Sequence, residues 1–117
     1  MEFRQSSKFT KELKRLKKKY KSLDQDLQKL KKVLVKFPTG LKSRNWAVLR
    51  KIKQVTIIKT RLSCAYLKKK SLRVVYAYHE NTMEIELIEF LELYGKNEKD
   101  REDKRVIEEY LKKVINQ

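Results

Sequence analysis

The chain has 117 residues, of which 31 are Lys or Arg and 15 are Asp or Glu, for a formal net charge of +16. That length suits one domain, residues 1–117, with a core that needs neither disulfides nor metals, and so large a charge points to a polyanionic partner, nucleic acid first. No apolar run reaches spanning length, MEFRQSSKF lacks the apolar segment of a signal peptide, and the lone Cys64 permits no internal disulfide and alone makes no zinc cluster or redox pair; a cytoplasmic protein with no membrane role is expected.

In chain order, MEFR reads as an edge strand. Phe9, Leu13, Leu16 and Tyr20, then Leu23, Leu27, Leu30, Leu34 and Phe37, fall at the spacing of one helical face each, which predicts two amphipathic helices forming a hairpin. Ser22 is placed to cap the second, with Gln25 reaching back as a capping box, and Pro38 and Gly40 end it. Lys14, Lys17, Lys18, Lys21, Lys29 and Lys32 belong to the outer faces. A loop containing Trp46 follows, and then three strands rich in β-branched and aromatic residues, VTIIKTRLSC, LRVVYAYH and MEIELIEFLEL. His79-Glu80-Asn81-Thr82 has turn chemistry, so the last two strands should pair antiparallel. Past the charged loop KNEKDRED, Val106, Ile107, Tyr110, Leu111, Val114 and Ile115 recur at helical spacing. The order βααβββα describes a small α+β domain, an N-terminal helical hairpin on an antiparallel sheet of three to four strands with a C-terminal helix. Cys64 is expected to be a small buried residue.

Charge is divided unevenly. Residues 1–73 hold 24 basic and 4 acidic side chains, while residues 74–117 hold 7 basic and 11 acidic ones, so the anion-binding surface should come from the first two thirds. With Gly40 and Gly95 the only glycines, no phosphate-cradling Gly-rich loop can form. His79 is the only histidine and belongs at a turn edge, better suited to a surface position than to catalysis. Glu84, Glu86, Glu89 and Glu92 resemble a metal cluster, but strand alternation gives Glu84, Glu86 and Glu92 one face and Glu89 the other. Their expected role is ion pairing with the basic half, and no metal or cofactor is expected. What remains is cationic: Lys59 and Arg61 project from one strand face, Arg73 opens the next strand, and Lys68, Lys69 and Lys70 join them. Such a cluster can simply hold phosphates. It can also cleave RNA, because attack of a 2′-OH on its adjacent phosphate needs a base, stabilisation of the charged phosphorane and an acid for the leaving oxygen, and a lysine crowded by like charges has its pKa drawn down towards a base role.

The helical hairpin FTKELKRLKKKYKSLDQDLQKLKKVL with its following Pro, then IIKTRLSC, LRVVYAY and IELIEFLELYGKNEKD, in that order and spacing, resemble the RelE/ParE superfamily of type II toxin-antitoxin toxins, and more its RelE and HigB branches. The resemblance implies a compact ribonuclease whose basic, concave sheet face cleaves messenger RNA on the ribosome, silenced by a cognate antitoxin protein. On the ParE branch it implies inhibition of DNA gyrase. Position by position, it implies catalytic roles for Lys59 and Arg61 in IIKTR and for Arg73 in LRVVY, and it matches the family's basic segment after the last strand to YGKNEKD, with RNA binding expected of Lys96, Asn97 and Lys99; the loop of Lys68, Lys69 and Lys70, longer here than in RelE, is expected to put RNA-binding charge at the lip of that face. Asn97 stands where the family has an arginine after Gly-Lys, and the family's late tyrosine finds no match. A basic RNA-binding module without catalysis is the remaining alternative.

Overall fold

The computed structural model describes residues 1–41, 43–65, 71–80 and 86–115. Its elements run β1 (Glu2–Gln5), α1 (Ser7–Lys19), α2 (Leu23–Lys36), β2 (Trp46–Ile52), β3 (Val55–Ser63), β4 (Ser71–His79), β5 (Leu87–Gly95) and α3 (Lys104–Ile115). The strands form one sheet in the order β1-β5-β4-β3-β2, antiparallel except for β1, which pairs parallel to β5. The α+β architecture, the helical hairpin and the C-terminal helix are as expected.

Each helix starts and stops for a local reason. The Ser6 hydroxyl accepts the Phe9 N–H at 3.1 Å and caps α1, and the chain leaves that helix at Tyr20 in an extended conformation. Ser22 precedes α2 but forms no capping box. Its backbone is helical, and its hydroxyl donates instead to the buried Asp26 carboxylate at 2.8 Å, which also accepts the Ala65 N–H. This side-chain link ties the start of α2 to the end of β3, next to the buried Cys64.

Alternation along the central strands separates two clusters. Ile58, Leu62, Leu72, Val74, Tyr76 and Phe90 point to the side covered by α1 and α2, where Phe9, Leu16, Leu23 and Leu34 are fully buried against them. Val55, Ile57, Val75, Ala77 and Leu91 point to the opposite side, under Ile107 and Leu111 of α3. Each such fully buried side chain contributes roughly 1.5–3 kcal/mol relative to exposure. The lysines assigned to the outer faces of α1 and α2 are exposed.

Strand β2 is the element that reading the sequence as a loop around Trp46 missed. Two features hid it. The turn into β3 uses Lys53, at φ 55, and Gln54, in place of the Gly or Asn that such a turn favours. A bulge at Leu49 also breaks the alternation, with Val48 opposite Ile58 but Arg50 opposite Ile57. A second bulge, on β5, leaves Leu91 without a cross-strand partner, between Phe90 opposite Tyr76 and Glu92 opposite Val75. It overturns the expected sharing of faces among the glutamates. Glu92 lies on the α3 side with Glu89, while Glu86 accepts the Tyr78 hydroxyl on the hairpin side. Glu84 and the Asn81-Thr82 turn fall outside the described residues.

Candidate nucleic-acid interface

On the α3 side of the sheet, α3 covers one end and leaves the other to charged residues. Lys59 and Arg61 of β3 and Arg73 of β4 all project there, since Lys59 lies opposite Val75 and Arg61 directly opposite Arg73. Arg73 in turn lies opposite Tyr94 on β5. Sequence alternation thus brought together the three residues expected to share a face. Lys68, Lys69 and Lys70 lie outside the described residues.

Two arginines opposite each other on neighbouring strands are electrostatically unfavourable. Arg61 is exposed, whereas Arg73 is half-buried, its Nη1 3.4 Å from the Leu72 carbonyl oxygen. Burial, and then the charge of Arg61, lower the pKa of the Arg73 guanidinium, with Tyr94 acting in the other direction. Tyr94, the partner of Arg73 across the β4–β5 ladder, is 3% exposed. Burial, followed by the negative charges of Glu102 and Glu92, pushes its phenol up to about 12 against the opposing effect of Arg73. At neutral pH it is therefore a hydroxyl that can donate a hydrogen bond, not a base.

The segment 96–103 folds back along this end of the sheet and brings carboxylates with it. Glu102 meets Lys59 at 2.8 Å. Glu92, 2% exposed, accepts Lys99 at 2.6 Å, Lys8 at 3.4 Å and the Asp103 N–H at 3.0 Å. From α1, Arg15 reaches Glu98 at 2.7 Å and Lys8 reaches Asp103 at 3.4 Å. Lys99 is thereby held with its ammonium 4.8 Å from the centre of the Tyr94 ring. Lys96 and Asn97 are exposed at the start of the segment. The hollow of about 390 Å³ between α1 and this segment is lined by Lys8, Arg15 and Lys99 but also by Glu12, Glu92 and Glu98, so its charges balance and it does not select an anion.

Two participants escaped the sequence reading, Tyr94 and Glu102, while Glu92, expected to pair with the basic half, does so with Lys8 and is buried. Tyr94 was hidden by the bulge, because uninterrupted alternation puts it on the hairpin side with Phe90. The slip in apolar phase at Phe90-Leu91, in IEFLEL, was the signal available. His79 departs from the surface position expected of it. It is half-buried at the covered end, Nε2 2.5 Å from the Tyr110 hydroxyl of α3, away from the three cations. Among the described residues no three His, Cys, Asp or Glu side chains converge as metal ligands, and no helix is long and apolar enough to cross a membrane. No family model matches the chain, and neither a curated protein nor a solved structure does.

Proposed function

We propose that the chain is a toxin of RelE/HigB type, an endoribonuclease that acts on messenger RNA at the ribosome by attack of a 2′-OH on the adjacent phosphate and so stops translation. The observation that carries this reading is Arg61 opposite Arg73 at the end of the sheet that α3 leaves uncovered. A like-charged cross-strand pair is destabilising, and a phosphate between the two guanidiniums turns that repulsion into attraction. Bidentate donors of this kind suit the charge that builds on a phosphorane. Tyr94, neutral and in register with Arg73, is buried on the same side of the sheet. Lys59 reaches a phosphate only by exchanging Glu102 for it, so its part is that of a countercharge. A cognate antitoxin, acidic and apolar, is the partner that would neutralise so basic a face.

The Lys59–Glu102 and Lys99–Glu92 contacts favour a second reading, RNA binding without cleavage, because they neutralise two of the cations near the arginine pair. Primer extension on programmed ribosomes, run beside ribosome co-sedimentation, separates the two. Cleavage by the native chain, slowed about 10²-fold or more by Arg61→Ala or Arg73→Ala as for a lost oxyanion donor, with co-sedimentation little changed, is the expected result. Co-sedimentation without cleavage would install the second reading. Pulse labelling after induction tests the gyrase alternative, which predicts that DNA synthesis stops while amino-acid incorporation continues.

A further inference from the structure

Glu98, Glu102 and Asp103 of the segment 96–103 each pair with a cation, and Glu102 is the most enclosed of them: its side chain is 11% exposed, against 34% for Glu98 and 40% for Asp103. It meets Lys59 of β3 at 2.8 Å. Burial first, and then the charge of Glu102, raise the pKa of Tyr94 on β5. The Glu102 carboxylate thus acts on residues of both strands that flank β4, on the side to which Arg61 and Arg73 also project. To Lys59 it presents what a phosphate oxygen would present, a negatively charged acceptor at hydrogen-bond distance.

The backbone that carries Glu102 is held on both sides. The Asp103 N–H donates to the buried Glu92 carboxylate at 3.0 Å, and the Asp103 side chain accepts the Arg105 N–H at 2.9 Å where α3 begins. On the other side, the N–H groups of Glu98 and Lys99 donate to the Gly95 carbonyl at 3.0 and 3.2 Å, and the Lys99 ammonium is tied to Glu92. With the chain so held, Glu102 leaves Lys59 by turning about its own side-chain bonds, and the segment itself stays in place.

We propose that Glu102 is an internal competitor for RNA phosphate, occupying Lys59 in the free chain and yielding it only to a strand already engaged by Arg61 and Arg73. Lys59 and Arg61 are two residues apart on one strand face, a step of roughly 7 Å, so a phosphate held by the arginine pair carries its neighbour along the strand towards Lys59. A free phosphate competes with a tethered carboxylate, whose effective concentration is high, and loses. A strand anchored at the arginines competes on equal terms, because its next phosphate is tethered as well. Lys59 then exchanges one anion for another, the freed carboxylate is solvated, and the net gain in affinity is small while Glu102 is present. The inference rests on the arginine pair being an anion site, not on cleavage there.

The test follows a fluorescently labelled single-stranded RNA by anisotropy as it binds the full chain over a range of salt concentrations, for the native chain, Glu102→Gln, Lys59→Gln and the two changes together. Glu102→Gln keeps the size of the side chain and removes its charge. It should bind about five- to tenfold more tightly at low salt, with log K against log salt steeper by about 0.7, the amount that one further phosphate contact adds on a single strand. Lys59→Gln alone should change affinity by no more than about twofold, because its cation is already taken, yet in the Glu102→Gln background it should remove the whole gain. Glu109→Gln makes an equal change of charge at an exposed position of α3 and should stay within about twofold of native. Unchanged affinity in Glu102→Gln overturns the proposal and makes the pair a structural tie. A gain that survives Lys59→Gln, or that Glu109→Gln reproduces, overturns it in favour of net charge alone. Loss of binding in Arg61→Ala with no gain in Glu102→Gln strikes the competitor and spares the anion site, whereas full binding by Arg61→Ala strikes the site and the competitor together.

Discussion

The two faces of the sheet are made by the same strands and solve different problems. On the hairpin side, alternate residues of β3, β4 and β5 are apolar and lie under α1 and α2. On the other side the alternate residues begin as apolar under α3 and end as Lys59, Arg61 and Arg73. A period of two lets one strand commit one side to packing and the other to charge. The difference teaches where each kind of substitution should register: in stability on the hairpin side, and in anion binding at the uncovered end of the other.

The largest effect on stability is expected at Phe90. Its ring stacks on Phe9 at 5.2 Å and Phe3 at 6.0 Å and meets Tyr76 edge-on at 6.3 Å, so Phe90→Ala opens a cavity where β1, α1 and the sheet join. The cost should be about 3–5 kcal/mol by urea unfolding. A loss under about 1 kcal/mol would mean that the hairpin side is not the principal core.

Next in size is Glu92→Ala. The change removes a buried carboxylate and leaves Lys8, Lys99 and the Asp103 N–H without that acceptor. Breaking a fully buried pair costs roughly 3–5 kcal/mol, but both lysines are more than a third exposed, and screening brings the expectation down to about 1–3 kcal/mol. Amide exchange at Asp103 should rise more than exchange in β4, because the carboxylate anchors segment 96–103 and not the sheet. Uniformly faster exchange would show that the clasp belongs to the core.

A smaller effect, of opposite sign, sharpens the comparison further. Arg61→Thr removes one of two like charges facing each other across the β3–β4 ladder and puts a good strand former there. Stability should rise by up to about 1 kcal/mol, more at low salt, while affinity for a single-stranded RNA falls. A variant that lost both stability and binding would show that Arg61 is a structural residue.

Legibility followed the same division. Patterns with a clean period were readable: the stripes of α1 and α2, the placement of Lys59, Arg61 and Arg73 on one face, and the antiparallel pairing of β4 with β5. Where a bulge shifted the period, reading failed. Leu49 concealed β2, and Leu91 moved Tyr94 and Glu92 to the charged side. Ser22 failed as a capping box for another reason, because its backbone is helical where a capping residue is extended, and its hydroxyl is turned to the buried Asp26. Ion pairs such as Lys59–Glu102 join residues 43 apart in sequence, and no local pattern encodes them.

The smallest effect tests how α3 is held on its half of the face. His79, the last residue of β4, is half-buried, with its ring edge-on to Tyr110 at 5.9 Å and Nε2 within hydrogen-bond distance of the phenol. Burial, and then the charge of Arg4, lower its pKa from the usual 6.5, and burial raises that of Tyr110, which stays a neutral hydroxyl able to donate to an unprotonated imidazole. Because the folded-state pKa lies below the unfolded one, the unfolded chain binds the proton more readily. This contribution to stability is therefore fully present above about pH 6.5 and is lost as pH falls from there through the folded-state pKa. His79→Gln keeps a polar side chain and removes the titration, while the carboxylates titrate alike in both proteins and cancel. The unfolding free energy of the native chain minus that of the variant should thus be smaller at pH 5 than at pH 8. A difference that does not change between those two pH values would show that protonation of His79 does not loosen the packing of α3 on β4.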